Sequence, residues 1–167
     1  SMIKTNKNIL ENTHLSDIQK VILSPAFPWY IADVTLDGDN ENKQLIHHIY
    51  KDFEFKSSYF RLFLPVLDFL NPLTIFRMKL NLVPKTESKI YYPYHIDHPS
   101  ENLNSAIFYI NTNDGETRFV HDNIKIQSEE NKIIRFPSGI LHAGTTCTDE
   151  HFRVVLNIIY TEKNANK

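Results

Sequence analysis

His95 and Asp97 are separated by one residue, and in an extended segment side chains at i and i+2 project to the same face. An imidazole nitrogen and a carboxylate oxygen placed in this way can reach one metal ion. A second histidine, His142, comes much later in the chain, after the turn signal Pro137-Ser138-Gly139. If its segment pairs beside the first, three ligands cover one face of an octahedron. The opposite positions then stay open for dioxygen and a substrate. A facial set of two histidines and one carboxylate suits non-haem iron(II). The His-x-Asp pair carries little weight alone in a chain of 8 histidines, because surface loops hold such pairs by chance.

Arg153 adds a second chemical element. It opens the run Arg153-Val154-Val155-Leu156-Asn157-Ile158-Ile159-Tyr160, in which Arg153, Val155 and Asn157 share a face. An arginine facing into a barrel calls for an anion, since an unpaired buried charge is costly. A 2-oxoglutarate carboxylate would meet that need through a bidentate pair. The other reading, an outward surface charge or a pair with Asp149 or Glu150, stays open at this point. The remaining histidines read more plainly. His98 is a loop residue pointing away from the ligand face, His121 is exposed, and His47-His48 is solvated. Cys147, the only cysteine, reads as a small half-buried residue.

The elements that must position these residues divide the chain in two. Up to about residue 73 the pattern is helical or mixed. Ser16-Asp17-Ile18-Gln19 is a capping-box pattern leading into Ile18, Val21 and Ile22, with Pro25 as the stop. Trp29–Val34 reads as a strand and Asp37-Gly38-Asp39-Asn40 as a turn. Helical spacing returns over Ser57–Leu70, with Pro65 splitting the segment or starting a new helix. From Thr74 strand-like runs follow one another: Thr74–Val83, Ser105–Asn111, Glu116–His121, Ile124–Gln127, Lys132–Phe136 and Phe152–Thr161. Turn signals such as Asn113-Asp114-Gly115 and Glu129-Glu130-Asn131 separate them. In the third run Thr117 and Phe119 face inward and support the metal wall. The last residues, Lys163 to Lys167, read as a tail.

The predicted fold is therefore mainly β with N-terminal helices, a double-stranded β-helix or jelly roll. Residues 1–167 are read as one domain, with 1–73 a helical or mixed support and 74–161 the jelly-roll core. At 41% hydrophobic and 23% charged, the chain can bury a core and is not disordered throughout. Its net charge of -2 gives no electrostatic reason to bind nucleic acid or an anionic membrane. No run is long enough to span a bilayer, and the N-terminus lacks a secretory h-region. One cysteine favours a reducing compartment, so a cytoplasmic location is expected.

The segments Tyr92-Pro93-Tyr94-His95-Ile96-Asp97, Phe108-Tyr109-Ile110-Asn111 and Asp114-Gly115-Glu116-Thr117-Arg118-Phe119 fall in a telling order. They precede Arg135-Phe136-Pro137-Ser138-Gly139-Ile140-Leu141-His142-Ala143-Gly144-Thr145-Thr146 and Arg153-Val154-Val155-Leu156-Asn157. From about Thr74 to Tyr160 the chain resembles the 2-oxoglutarate/Fe(II) oxygenase superfamily. It is most similar to the prolyl-4-hydroxylase-like branch, and especially to the small versions of marine phages and bacteria. The resemblance implies His95, Asp97 and His142 as metal ligands and Arg153 as the grip on the distal carboxylate of 2-oxoglutarate. It implies Tyr109 as a hydrogen-bond partner of that carboxylate and Asn157 on the pocket floor. Tyr92 matches an active-site tyrosine, and Asn81 a co-substrate-binding asparagine. Val83 departs from the pattern, standing where many relatives have a tyrosine.

The implied cofactors are Fe(II), 2-oxoglutarate and O2, with ascorbate as a candidate reductant. The implied reaction is hydroxylation of a C–H bond, with a prolyl residue of a protein or peptide one candidate substrate and a small molecule another. Two other readings remain. A cupin-like metal enzyme would not use 2-oxoglutarate and would not need Arg153. In a non-catalytic jelly-roll binding or structural protein, the three metal-binding candidates would not converge. Oligomeric state is not legible.

Overall fold

The computed structural model describes residues 2–32 and 44–163. The Asp37–Asn40 turn, the end of the Trp29–Val34 run and most of the C-terminal tail lie outside them. Two helices form. α1 (Asn12–Ile22) starts a turn before the Ser16 capping box, with Glu11 at its N-cap. Leu15, Ile18 and Ile22 are buried at helical spacing. Seating that stripe on the core outweighs the local capping preference of Ser16. The Ser57–Leu70 segment divides into a 3₁₀ helix, Ser58–Phe63, and α2 (Leu64–Leu70). Pro65 sits in the first turn of α2, where its missing N–H costs nothing.

Eleven strands carry the rest: β1 (Lys4–Asn6), β2 (Tyr30–Ile31), β3 (Leu45–Lys51), β4 (Glu54–Phe55), β5 (Thr74–Pro84), β6 (Asn104–Tyr109), β7 (Glu116–Phe119), β8 (Lys125–Gln127), β9 (Lys132–Pro137), β10 (His142–Gly144) and β11 (Phe152–Thr161). The major sheet runs β1-β9-β6-β11-β5-β3-β2, with β4 on β3, and the minor sheet runs β10-β7-β8. This is the double-stranded β-helix expected from the sequence.

The N-terminal segment corrects one expectation. It is more than a support beside the jelly-roll core, because β1 to β4 extend the major sheet at both edges. β1 is too short for a period-2 signal, and β3 reads Leu-Ile-His-His-Ile-Tyr-Lys, without clean alternation. His47 in β3 is also not solvated. It is 5% exposed, with its ring nitrogens 2.8 Å from the Pro28 carbonyl oxygen and 2.6 Å from Ser57 Oγ. Cys147 is fully buried.

Alternation in β5 and β11, the paired strands at the centre, sorts side chains between two faces. Met78, Leu80 and Leu82 join Val154, Leu156, Ile158 and Tyr160 in the core that packs α1 and α2 against the major sheet. Between the sheets lies a smaller core that includes Ile107, Tyr109, Phe119, Phe136 and Val155. Arg153 and Asn157 share this inner face with Val155.

Asn131 ties the N-terminal segment to the sheet. Its Nδ2 donates to the Leu10 carbonyl at 2.8 Å and its Oδ1 accepts from the Leu10 N–H at 2.9 Å, with 3% exposure. Its φ of 65° is one that asparagine tolerates better than most residues. Asn131→Ala leaves a buried donor and a buried acceptor unmet, an expected loss of about 3 kcal/mol. Urea unfolding checks this, and a loss under about 1 kcal/mol would mean that the clamp contributes little.

Candidate metal centre

The segment after β5 returns across the mouth of the sandwich and pairs with β10. The His95 N–H donates to the His142 carbonyl and the His142 N–H to the His95 carbonyl, both at 2.9 Å. The Asp97 N–H donates to the Ser138 carbonyl at 2.9 Å. Residues far apart in sequence are thereby held opposite one another by backbone bonds, before any side-chain interaction is counted.

One ligand atom from each of His95, Asp97 and His142 lies within 4.8 Å of the other two. His142 Nε2 is 3.3 Å and His95 Nε2 3.5 Å from Asp97 Oδ1. His142 Nδ1 donates to the Ile140 carbonyl at 3.0 Å, which leaves Nε2 to face the carboxylate. Ser105 donates to the other oxygen, Asp97 Oδ2, at 2.6 Å and is itself 2.9 Å from Ser138 Oγ. Burial opposes ionisation of Asp97, but bonds from His142, His95 and Ser105 outweigh it and hold the carboxyl far below its usual range. Burial likewise opposes the His142 imidazolium, and Asp97 more than offsets this and raises its pKa. Protons and a metal ion compete for the same lone pairs, so the arrangement is one a divalent cation can take over.

Arg153 does not face outward, and neither Asp149 nor Glu150 pairs with it. It is 6% exposed, and no carboxylate lies within 4.0 Å of it among the described residues. Its neutral partners are Ser128 Oγ, 3.0 Å from Nε, and Thr117 Oγ1, 3.2 Å from Nη2. Two glycines make room for the side chain. A Cβ on Gly115 would stand 2.6 Å from Arg153 Cδ, and one on Gly144 would stand 3.2 Å from Nη1. A buried guanidinium with only hydroxyl partners is costly, and a carboxylate is the group it lacks.

Both features face one cavity of about 400 Å³. Tyr92, Asn81, Asn157 and Thr117 line it with the triad and Arg153. Tyr109 does not line it. It is fully buried, its hydroxyl 2.6 Å from Thr117 Oγ1, so its link to Arg153 runs through Thr117. Burial pushes the Tyr109 phenol up to about 12. Asn81 Nδ2 donates to Gln44 Oε1 at 3.1 Å, while its buried Oδ1 has no partner. Val83 gives the cavity an aliphatic wall.

Sequence reasoning missed two cations in the same cavity, Arg77 and Lys79. The period-2 polar pattern Arg77, Lys79, Asn81 on β5 was the available signal. It could not say that this face turns inward. Burial, aided by Arg77, lowers Lys79 to about 8.

No protein-family model and no curated protein matches the sequence. Solved structures match its fold. An oxidoreductase of the 2OG-Fe(II) oxygenase family from Burkholderia pseudomallei aligns with a TM-score of 0.72 at 16% identity, over 98% of this chain and 86% of that one. A Trichoplax adhaerens prolyl hydroxylase, solved with a hypoxia-inducible-factor peptide fragment, aligns at 0.71 and 13%, over 96% and 84%. A viral collagen prolyl hydroxylase of Paramecium bursaria Chlorella virus-1, solved with 2-oxoglutarate, aligns at 0.63 and 14%, over 98% and 97%. At these identities the likeness establishes the fold, and chemistry has to be argued from the site.

Proposed function

We propose that this protein is a non-haem Fe(II)- and 2-oxoglutarate-dependent dioxygenase that hydroxylates a C–H bond. One observation carries the reading. Three convergent ligand atoms and a buried arginine with no carboxylate partner among the described residues face the same cavity. A cupin-like metal enzyme has no use for such an arginine, and a non-catalytic jelly roll has no use for such a triad.

In this reading His95, Asp97 and His142 hold the metal, and Ser105 and the Ile140 carbonyl orient two of those ligands. Arg153 takes the distal carboxylate of 2-oxoglutarate, with Ser128 and Thr117 fixing the plane of its guanidinium. Tyr109 holds Thr117 in place. Val83, Ile107 and Val155 give the cavity apolar walls that exclude water. Tyr92, Asn81 and Asn157 supply polar atoms for orientation. The bound Fe(II) and 2-oxoglutarate supply the oxidising chemistry, with O2 consumed and succinate and CO2 released.

The names of two structural neighbours point to prolyl residues of proteins or peptides as one candidate substrate class, beside small molecules. A cytoplasmic location fits the single cysteine, and no helix among the described residues is long and apolar enough to cross a membrane.

The test is succinate release from 2-oxoglutarate under air, with a metal chelator as control. We expect turnover with Fe(II), none with the chelator, and recovery on adding Fe(II) back. Failure of the Mn(II)-loaded protein to bind 2-oxoglutarate in calorimetry would refute the reading, whatever the substrate.

A further inference from the structure

Arg77 and Lys79 belong to none of the roles above, yet both line the cavity. They sit on β5, opposite Ile159 and Asn157 of β11, towards the other end of the strand pair from Arg153, which is opposite Val83. Both share the cavity wall with His95, Asp97 and His142. Neither has a carboxylate within 4.0 Å among the described residues. Among the described residues, the one bond of the Arg77 side chain is from Nη2 to Asn157 Oδ1 at 3.3 Å, and its buried Nε has no partner. The charge on the site, as assigned above, is already balanced without them. The divalent ion and Arg153 offset Asp97 and the two carboxylates of the co-substrate. Among the described residues, Asp97 is the only acidic one lining the cavity. Two half-buried cations are left facing the space where a substrate must sit, and a buried cation without an anion is costly.

We propose that Arg77 and Lys79 form a second anion seat, and that the substrate is a compact molecule bearing a free carboxylate, such as a free amino acid, rather than an internal residue of a peptide. An internal residue offers only neutral amides at that position, whereas a carboxylate matches the guanidinium fork and the ammonium together. Without an anion, Arg77 and Lys79 also press on His48, their neighbour across β3, whose imidazole is lowered to about 4 chiefly by burial, with Lys51, Lys79 and Arg77 adding to it. This inference rests on the oxygenase reading for the identity of the other ligands, but not for the seat itself.

The test is calorimetric titration of the Mn(II)- and 2-oxoglutarate-loaded protein with acetate, inorganic phosphate, the free L-amino acids and their C-terminal amides. Acetate is expected to bind weakly and at least one free amino acid more tightly, with its amide about tenfold weaker or worse. Arg77→Met and Lys79→Met are each expected to lose about tenfold for acetate while 2-oxoglutarate affinity is kept. Arg77→Lys, which preserves the charge, retains most of the acetate binding and guards against a folding defect. Amides binding as well as acids would overturn the proposal, as would phosphate binding tenfold tighter than acetate. So would weakened 2-oxoglutarate binding in the variants, since the pair would then serve the co-substrate. If the protein binds no 2-oxoglutarate but acetate binding still depends on Arg77 and Lys79, the oxygenase reading fails and the seat stands.

Discussion

Arg153→Met is expected to make the ligand-free protein more stable while removing its response to 2-oxoglutarate. The reason is the mismatch between the burial of Arg153 and its partners. A guanidinium 6% exposed is held by two hydroxyls, Ser128 Oγ and Thr117 Oγ1, and by no carboxylate among the described residues. Hydroxyl bonds recover only part of the solvation lost on burial. Replacing a whole buried ion pair with apolar side chains is often neutral or stabilising, by about 1–4 kcal/mol, and a buried guanidinium without its counter-charge has less to lose still. Thr117 keeps its bond to Tyr109 in the variant, and the buried Ser128 hydroxyl, which loses its bond to Nε, takes back only part of the gain. With ligand the sign reverses. The variant loses charge-assisted bonds to a carboxylate, and 2-oxoglutarate affinity is expected to fall on the order of 100-fold. Thermal melts with and without Mn(II) and 2-oxoglutarate read both effects. If the ligand-free variant melts well below the wild type, Arg153 is a structural strut and the co-substrate assignment loses its main support. Gly115→Ala gives a finer control, because its Cβ would stand 2.6 Å from Arg153 Cδ and displace the side chain while its charge remains.

Asp97→Ala is expected to abolish metal-dependent turnover and to lower Mn(II) affinity by more than the 10–100-fold that loss of an outer-shell partner costs. Ser105→Ala provides that comparison, since Ser105 touches only the far oxygen of the carboxylate. The ordering matters more than either value: Asp97→Ala should lie well below Ser105→Ala, and Ser105→Ala below wild type. Electron paramagnetic resonance of free Mn(II) reports the affinity directly, without reliance on activity. Equal Mn(II) affinity in Asp97→Ala and wild type would remove the metal centre from the account.

The core strands after Thr74 were legible because alternation and turn residues are local. β11 runs over Phe152–Thr161, the bounds read from the sequence, and β5 ends one residue beyond its expected limit. Of the N-terminal strands, β2 falls within the Trp29–Val34 run, but β1, β3 and β4 were not legible. β1 spans three residues and exists only because β9 offers an edge, and β3 carries a histidine that is buried by Phe27, Pro28 and Ser57. The start of α1 failed for a related reason: the capping signal at Ser16 is local, whereas the buried stripe that sets the helix is tertiary.

By itself the sequence determined the side chains capable of the chemistry and their same-face spacing: His95 with Asp97, and Arg153 with Val155 and Asn157. It could do so because strand periodicity is a property of the backbone. Only the tertiary structure decided which face turned inward. It set His142 against His95 through paired backbone bonds, buried Arg153 without a carboxylate, and moved Tyr109 behind Thr117. It also turned Arg77 and Lys79 from an ordinary charged strand face into part of a cavity wall. These outcomes depend on which sheet covers which strand face, and that is settled by packing between residues far apart in the chain, where no local pattern reaches.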